Sequence, residues 1–191
     1  MEKFQQILLS WQNEGVLGKV PQPQEGSLGL IVGCADPRYD ESLGTFFRRI
    51  YGRGKVIFLS ELGGAVRFGC GNTGENTRMI RNISDIQRIF RKIPKVWLLA
   101  HPDCKWCETH RLDLAGELRA LRRAKSVLTG KVVTVHTGLF FKDPQSGLFQ
   151  VFRVNVIRAL RVLEGMKAGS EAVEKPVVSA GSGMWLSPTG A

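Results

Sequence analysis

The sequence predicts an α/β fold in which a mainly parallel central sheet is flanked by helices and ends in an antiparallel hairpin. Apolar runs of strand length alternate with longer segments whose apolar residues recur every three or four positions. This alternation is typical of βαβ units, whose right-handed crossovers cover both faces of a parallel sheet. Late in the chain, the turn-forming segment Asp143-Pro144-Gln145-Ser146-Gly147 separates two apolar runs and predicts the hairpin. With 191 residues, of which 43% are hydrophobic, we expect a single domain.

The elements follow from spacing and from turn residues. Apolar residues at helical spacing predict an N-terminal helix over 2–13, within a segment 1–20 that packs on the body or on a partner. The core is expected over 28–165, and a Gly-, Ser- and Pro-rich tail over 166–191 in which only Met184-Trp185-Leu186 suggests an anchoring contact. The core elements are predicted in this order: strand 28–32, helix 40–51, strand 56–59, a long helix after 72–74 with the stripe Met79, Ile83, Ile86, Phe90 and Ile93, strand 96–99, helix 111–128, strand 131–135, strand 148–152 and a helix that stops near Gly165.

Composition narrows the class of protein. The N-terminus lacks a basic segment followed by an apolar stretch, and no apolar run is long enough to cross a bilayer, so we expect a cytoplasmic protein without a membrane partner. The four cysteines are then expected to be ligands, thiols or core residues rather than disulfides. A net charge of +10 raises a nucleic-acid hypothesis, but the cations are scattered without interleaved aromatic residues. Solvated helix faces are the favoured interpretation, and nucleic acid is not an expected partner.

Two polar clusters follow two of the predicted strands. The first is Cys34-Ala35-Asp36-Pro37-Arg38, and the second is His101-Pro102-Asp103-Cys104. Because the carboxyl ends of strands in an open parallel sheet form a ligand crevice, we expect the two clusters to meet there. Cys34, His101 and Cys104 supply two thiols and one imidazole, the ligand set of a Zn²⁺ site with one coordination position left open. Gly63-Gly64-Ala65, after the strand 56–59, would let backbone approach the same crevice closely.

Asp36 and Arg38 are the candidate catalytic residues. Alternate side chains of an extended segment share a face, and the residue before a proline is pushed away from helical geometry, so Cys34, Asp36 and Arg38 are expected on one side. Asp36 is either a fourth metal ligand or the acceptor that holds a zinc-bound hydroxide toward an electrophile. Arg38 can grip the carboxylate with two parallel bonds, which would pull it off the metal and keep it ionised. A merely structural ion pair is the alternative interpretation.

A rival metal site and a redox pair are also present in the sequence. His101, Cys104, Cys107 and His110 recur at every third position, but on one continuous helix the first and last would point to opposite sides. Cys104 and Cys107 have the spacing of a redox pair, but His101 would compete with Cys107 for Cys104. Cys70 has no obvious partner and is interpreted as structural.

These motifs resemble the β class of carbonic anhydrases. The resemblance is carried by Cys-x-Asp-x-Arg at 34–38, by His-x-x-Cys at 101–104 and by a segment over 136–147 that is similar to that family's Gly-x-x-Tyr-Asp…Gly hairpin, so it covers residues 28–165. It implies zinc ligands Cys34, His101 and Cys104, an Asp36 and Arg38 dyad, and reversible hydration of carbon dioxide to bicarbonate. It also implies a homodimer as the basic unit, with the N-terminal helix clasping the partner.

The chain departs from the family pattern beside the metal ligands. Pro37 stands where the family commonly has serine, Lys105 where it commonly has glycine, and the segment 61–65 replaces Arg-Asn-Ala-Gly-Asn. Gly64 is the candidate for a backbone contact to substrate. Two alternative functions stay open: hydrolysis of carbon disulfide or carbonyl sulfide on the same scaffold, and a non-catalytic zinc protein whose basic surface binds nucleic acid or an acidic partner.

Overall fold

Seven helices and six strands alternate along the residues described by the computed structural model, which are 2–71, 73–91, 93, 95–129, 134–143 and 145–173. In chain order they are α1 (Glu2–Asn13), β1 (Leu17–Gly18), β2 (Gly29–Cys34), α2 (Pro37–Tyr51), β3 (Val56–Glu61), α3 (Gly64–Cys70), α4 (Thr73–Ile89), β4 (Lys95–Ala100), α5 (Lys105–Thr109), α6 (Leu114–Leu128), β5 (Val135–Lys142), β6 (Phe149–Val154) and α7 (Val156–Val173).

The strands form one mainly parallel sheet in the order β1-β6-β5-β4-β2-β3. β3, β2, β4 and β5 pair in parallel, whereas β6 pairs antiparallel with both β5 and β1. The predicted α/β fold with its terminal antiparallel hairpin is therefore confirmed. The two-residue strand β1 is too short to leave an alternation in the sequence, and it was missed.

The sheet is buried on both faces because successive strand residues point to opposite sides. Leu30 and Val32 of β2 belong to the larger apolar cluster, together with residues of α3, α6 and α7. Ile31 points the other way and packs with Phe47 of α2 and Trp97 of β4. Burial on both sides explains why the central strands read as continuous apolar runs rather than alternating ones.

Helix α1 packs on the body of its own chain. Leu8 and Trp11 are buried at 1% and 0% exposure and join the larger cluster, and Phe4 meets Phe141 of β5 edge-on. Within the described residues, no helix combines the length and hydropathy that a membrane crossing requires. The cytoplasmic location stays a prediction.

Several predicted boundaries were wrong, each for a local reason. Helix α2 begins at Pro37 rather than at 40, because Asp36 caps it and proline suits the first helical position. The helix predicted over 111–128 begins only at Leu114, since Arg111 has a positive φ of 53° and Asp113 caps α6; the short helix α5 before it was not predicted. The seven-residue helix α3 was not predicted.

Two helix ends also differ from the predictions. The long helix α4 ends at Ile89, before Phe90 and Ile93. Helix α7 continues through Gly165 to Val173, so it does not stop near Gly165 as predicted. Other expectations fall outside the described residues: Asn72, most of the strand predicted over 131–135, Pro144 and the contact suggested for Met184-Trp185-Leu186.

Candidate metal centre

Two neighbouring parallel strands bring the predicted ligands together. Cys34 is the last residue of β2, and His101 directly follows β4, which lies beside β2 in the sheet. Residues 102 and 103 form a turn in which the Cys104 N–H donates to the His101 carbonyl at 3.2 Å. This turn returns Cys104 to the strand ends.

The spacing of the three side chains suits a tetrahedral ion. The Sγ atoms of Cys34 and Cys104 are 3.7 Å apart, and with a nitrogen of His101 all three ligand atoms lie within 4.8 Å of one another. Two thiolates at tetrahedral angles around zinc, each about 2.3 Å from the ion, would be about 3.8 Å apart. Cys34 is partly buried, and the other two residues are buried.

His101 is oriented for coordination through Nε2. Its Nδ1 lies 3.1 Å from Oδ1 of Asp103, while Nε2 is buried and has no hydrogen-bond partner among the described residues. An imidazole that donates one N–H to a carboxylate and leaves the other nitrogen free is the usual arrangement of a metal-binding histidine. Burial lowers the pKa of His101, but the adjacent Cys104 sulfur and the Asp103 carboxylate outweigh it and the net pKa is raised.

Asp103 connects His101 with the Asp36–Arg38 pair. Besides His101, its carboxylate accepts from the Tyr39 hydroxyl and, at 3.2 Å, from Nη1 of Arg38. Burial raises the pKa of Asp103, but the hydrogen bonds with Tyr39 and His101 outweigh this and lower it overall. The sequence analysis assigned roles to neither Asp103 nor Tyr39. The only sequence signal for the role of Asp103 is its position two residues after His101.

The two thiols of the candidate site differ in acidity. Hydrogen bonding to Cys104 and burial raise the pKa of Cys34, whereas hydrogen bonds with Cys107 and Cys34 lower that of Cys104. The Gly63 N–H also donates to the Cys34 sulfur at 3.3 Å. Cys104 is therefore the more acidic thiol of the pair, and both sulfurs would have to be deprotonated to bind a divalent metal.

Arg38 holds the Asp36 carboxylate with a two-pronged ion pair. Nε donates to Oδ1 at 2.9 Å and Nη2 donates to Oδ2 at 2.6 Å. The Arg38 hydrogen bonds hold the pKa of Asp36 below its usual value. Asp36 is not part of the ligand group, so the geometry favours an ionised, paired Asp36 over a fourth ligand.

The route by which Arg38 reaches Asp36 differs from the prediction. Asp36 is extended, with ψ of 114°, as its place before proline requires. The extended run ends there, and Arg38 lies in the first turn of α2 with its backbone N–H donating to Asp36 Oδ1 at 3.1 Å. Alternation along a strand therefore does not place Arg38; the helix cap does.

The paired glycines allow helix α3 to dock beside Cys34. Gly64 has φ of 49°, and a Cβ there would lie 2.4 Å from the Gly33 carbonyl carbon and 2.5 Å from the Cys34 nitrogen. A Cβ on Gly63, which has φ of 74°, would overlap the Trp106 ring. The close backbone approach expected of this segment is confirmed. The backbone that Gly64 approaches is that of strand β2. A substrate contact by Gly64 stays a prediction.

The rival metal site is not assembled, whereas Cys107 does lie within hydrogen-bond reach of Cys104. Cys34, His101 and Cys104 are the one metal-competent group found among the described residues, and neither Cys107 nor His110 belongs to it. His110 instead stacks on Trp106 with ring centroids 4.0 Å apart and donates from Nδ1 to the Trp106 carbonyl at 2.7 Å. Cys70, interpreted as structural, is exposed at the end of α3.

Fold and site together define an α/β protein with a Cys-His-Cys centre at the carboxyl end of a parallel sheet. No protein-family model matches the chain, and no curated protein matches it. Among solved structures, it is similar to a carbonic anhydrase from Streptococcus mutans, with 16% identity and a TM-score of 0.44 over 81% of this chain and 96% of that one.

Further likenesses are to β-carbonic anhydrase isoform I from Trichomonas vaginalis and to tetrameric β-carbonic anhydrases from Sordaria macrospora. The first has 12% identity and a TM-score of 0.41 over 75% of this chain and 91% of that one. The second has 18% identity and a TM-score of 0.35 over 67% and 81%. These likenesses concern the fold, so the chemistry of the site depends on the side chains of this chain.

Proposed function

We propose that this protein binds zinc through Cys34, His101 and Cys104 and catalyses the reversible hydration of carbon dioxide to bicarbonate. The observation that carries the proposal is the convergence of two sulfurs and the unpartnered, buried His101 Nε2 beside an Asp36 carboxylate paired with Arg38. The three donors leave a tetrahedral ion one free position, which is the arrangement of a catalytic rather than a structural zinc site.

Zinc held by these residues would act as a Lewis acid and lower the pKa of a coordinated water toward neutrality. Two thiolates balance its double charge, so the neutral form of His101 completes the set. The Gly63 N–H directed at Cys34, and the Asp103 carboxylate directed at His101 Nδ1, fix two of the ligands before any metal arrives.

Asp36 and Arg38 supply the orientation that hydration requires. Oδ1 of Asp36 accepts from both the backbone N–H and the Nε of Arg38, whereas Oδ2 accepts its short bond from Nη2, so Oδ2 can accept one more hydrogen bond from the attacking oxygen. That bond directs the oxygen's free lone pair toward the carbon of carbon dioxide. Because Arg38 keeps Asp36 ionised, the Asp36 carboxylate stays a hydrogen-bond acceptor throughout the neutral pH range.

Zinc content and stopped-flow hydration of the wild type and Asp36→Ala test this function. We expect about one zinc per chain in both proteins, and a fall in kcat of roughly 100-fold or more in Asp36→Ala, the scale on which a positioned acceptor contributes. Asp40→Ala removes an exposed carboxylate from the same helix and is expected to keep full activity.

Protein that stays without zinc when zinc is supplied, or an Asp36→Ala variant as active as the wild type, would contradict the proposal. Carbonyl sulfide and carbon disulfide are linear like carbon dioxide, so they are assayed in parallel. A kcat/KM for either that exceeds the value for carbon dioxide would reassign the substrate while leaving the metal site intact.

A further inference from the structure

A cavity of about 450 Å³ lies at the end of the sheet opposite the metal centre. It is lined by the beginning of β5, the end of β6, the later half of α6 and the beginning of α7. The metal ligands follow the carboxyl ends of β2 and β4, whereas this cavity opens where parallel strand β5 begins. The two sites therefore share no residue.

Among the residues that the structure describes, three cations and no carboxylate line this cavity. Arg122 and Lys125 lie three positions apart on α6, and Arg153 lies on β6. Among the described residues, none of these three side chains forms an ion pair. Charges of one sign in a concave site focus their potential on it, so the cavity attracts anions.

The sheet leaves Arg153 uncovered. Its register neighbours are Gly138 on β5 and Gly18 on β1, so neither adjacent strand places a side chain beside it. A Cβ on Gly18 would meet nothing within 4 Å. The guanidinium is thus accessible to a ligand along this part of the sheet.

His136 adds a polar atom that the fold does not satisfy. Its ring stacks on Trp97 with centroids 4.7 Å apart, and its buried Nε2 has no partner among the described residues. Burial, reinforced by the charges of Lys95, Arg153 and Lys125, lowers the pKa of His136 to about 4. The ring is therefore neutral and faces uncompensated positive charge.

The beginning of α7 contributes backbone donors. Asn155 caps this 18-residue helix by accepting the Arg158 N–H at 3.2 Å, while the N–H groups of Val156 and Ile157 lie too early for an intrahelical carbonyl. Residues 155, 156 and 157 all line the cavity. The positive end of the helix dipole thus adds to the cationic side chains.

From this convergence we infer that the cavity binds a small organic phosphate, with the phosphate among Arg122, Lys125, Arg153 and the first turn of α7. A dianion matches three unpaired cations and a helix end better than a monovalent anion does. The volume lies in the range of small-molecule pockets, and Val135, Val154 and Ile157 give the remainder an apolar surface. A bare phosphate or bicarbonate ion would leave much of that space unused.

Calorimetric titration of the zinc-loaded full-length chain with phenyl phosphate tests this inference. At pH 7.5 and physiological salt, we expect saturable binding at least tenfold tighter than that of inorganic phosphate or of phenol. The double variant Lys125→Gln/Arg153→Gln is expected to lose tenfold or more in affinity. Both side chains are exposed, so the variant is expected to fold, and its thermal melt checks this.

Lys142→Gln/Arg161→Gln is the matched control, because it removes the same charge from exposed positions outside the cavity. Unchanged phenyl phosphate affinity in this control supports the inference. An equal loss in both double variants would show that only net charge matters and would overturn it, as would absence of saturable binding to the wild type.

Amide and imidazole NMR shifts locate the bound phosphate independently of activity. We expect the Ile157 amide and the His136 ring to move, while the amides of Gly63 and Asp103 stay in place. Movement at Gly63 and Asp103 alone would place the ligand in the metal centre and overturn the inference. Binding of a 20-base-pair DNA duplex that needs Lys125 and Arg153, without binding of phenyl phosphate, would assign the cavity to nucleic acid instead.

Discussion

Asp103 is the residue on which three donors around the metal centre converge. It orients His101, accepts the Tyr39 hydroxyl and pairs with Arg38, so it joins the ligand set to the catalytic pair. A carboxylate of this kind raises the basicity of a ligating imidazole and fixes the angle of its ring.

Asp103→Ala is expected to weaken zinc binding by about 10- to 100-fold, because the His101 ring loses the partner of Nδ1. Competition against a chelator of known affinity measures the loss. Asp40→Ala removes an exposed carboxylate from α2 and should leave the affinity unchanged. Equal zinc affinities in Asp103→Ala and the wild type would show that His101 is held by packing alone.

Glu117 is a buried carboxyl group on α6, and the sequence pattern did not predict its burial. Its side chain is 2% exposed, and its Oε2 has no partner among the described residues. Burial, and then the negative charge of Cys104, raises the pKa of Glu117 from 4.5 to about 8. Because the folded-state pKa is the higher one, the native state binds more protons between those values, and stability falls as pH rises from about 4.5 to 8.

Glu117→Gln is neutral at every pH and is expected to remove this dependence. Relative to the wild type, the variant should gain free energy of unfolding on the order of 3 kcal/mol between pH 5 and pH 8.5. Urea unfolding at the two pH values measures the difference. Curves that shift equally at both pH values would show that Glu117 does not titrate in this range.

At the scale of elements, helix α3 and strand β2 approach more closely than side chains allow. Gly64 lies against the Gly33–Cys34 backbone, and the preceding Gly63 donates to the Cys34 sulfur. The position of one metal ligand therefore depends on how closely a neighbouring helix docks.

Gly64→Ala is expected to cost about 3 kcal/mol or more of stability, since it combines a strained positive φ with overlap against backbone. The control is Gly54→Ala, where φ is 72° but a Cβ would meet nothing within 4 Å, so only the strain of about 1 kcal/mol remains. Urea denaturation of both variants separates the two effects. Equal losses would mean that the backbone near Gly33 yields easily.

The helix boundaries that were predicted wrongly have both local and long-range causes. The Asp36 cap and Pro37 mark the beginning of α2 in purely local terms, and Asp113 does the same for α6. Gly165 looks like a local stop, yet α7 continues past it. Glycine in a helix costs only about 1 kcal/mol, which flanking contacts such as those of Ala159, Leu160 and Leu163 can offset.

At the scale of the whole molecule, α1 completes the core of its own chain. Leu8→Ala is expected to cost about 2–4 kcal/mol, because the side chain is 1% exposed and its removal leaves a cavity. Leu9→Ala, next to it at 38% exposure, should change stability by less than about 1 kcal/mol. Thermal melts at several protein concentrations measure both.

The same melts bear on the expected homodimer, which stays a prediction. If α1 serves its own chain, as the burial of Leu8 and Trp11 indicates, the loss in Leu8→Ala should not depend on protein concentration. A loss that disappears at high concentration would show that α1 instead packs on a partner.

The sequence by itself determined the α/β class and the three side chains of the candidate metal centre. Both follow from local rules, because apolar periodicity marks the elements and the carboxyl ends of adjacent parallel strands must meet. Cys34 and His101 could therefore be paired without coordinates, and the Asp36–Arg38 contact needs only two residues of chain.

Tertiary structure alone decided the rest of the site. Tyr39 reaches Asp103 across 64 positions of chain, and Glu117 turns inward on a helix whose sequence would equally allow it to face solvent. The three cations of the cavity opposite the metal centre lie on α6 and β6. In the sequence they look like scattered charges. Such groups meet through packing between distant elements, and the order of strands in the sheet sets those distances rather than any local pattern.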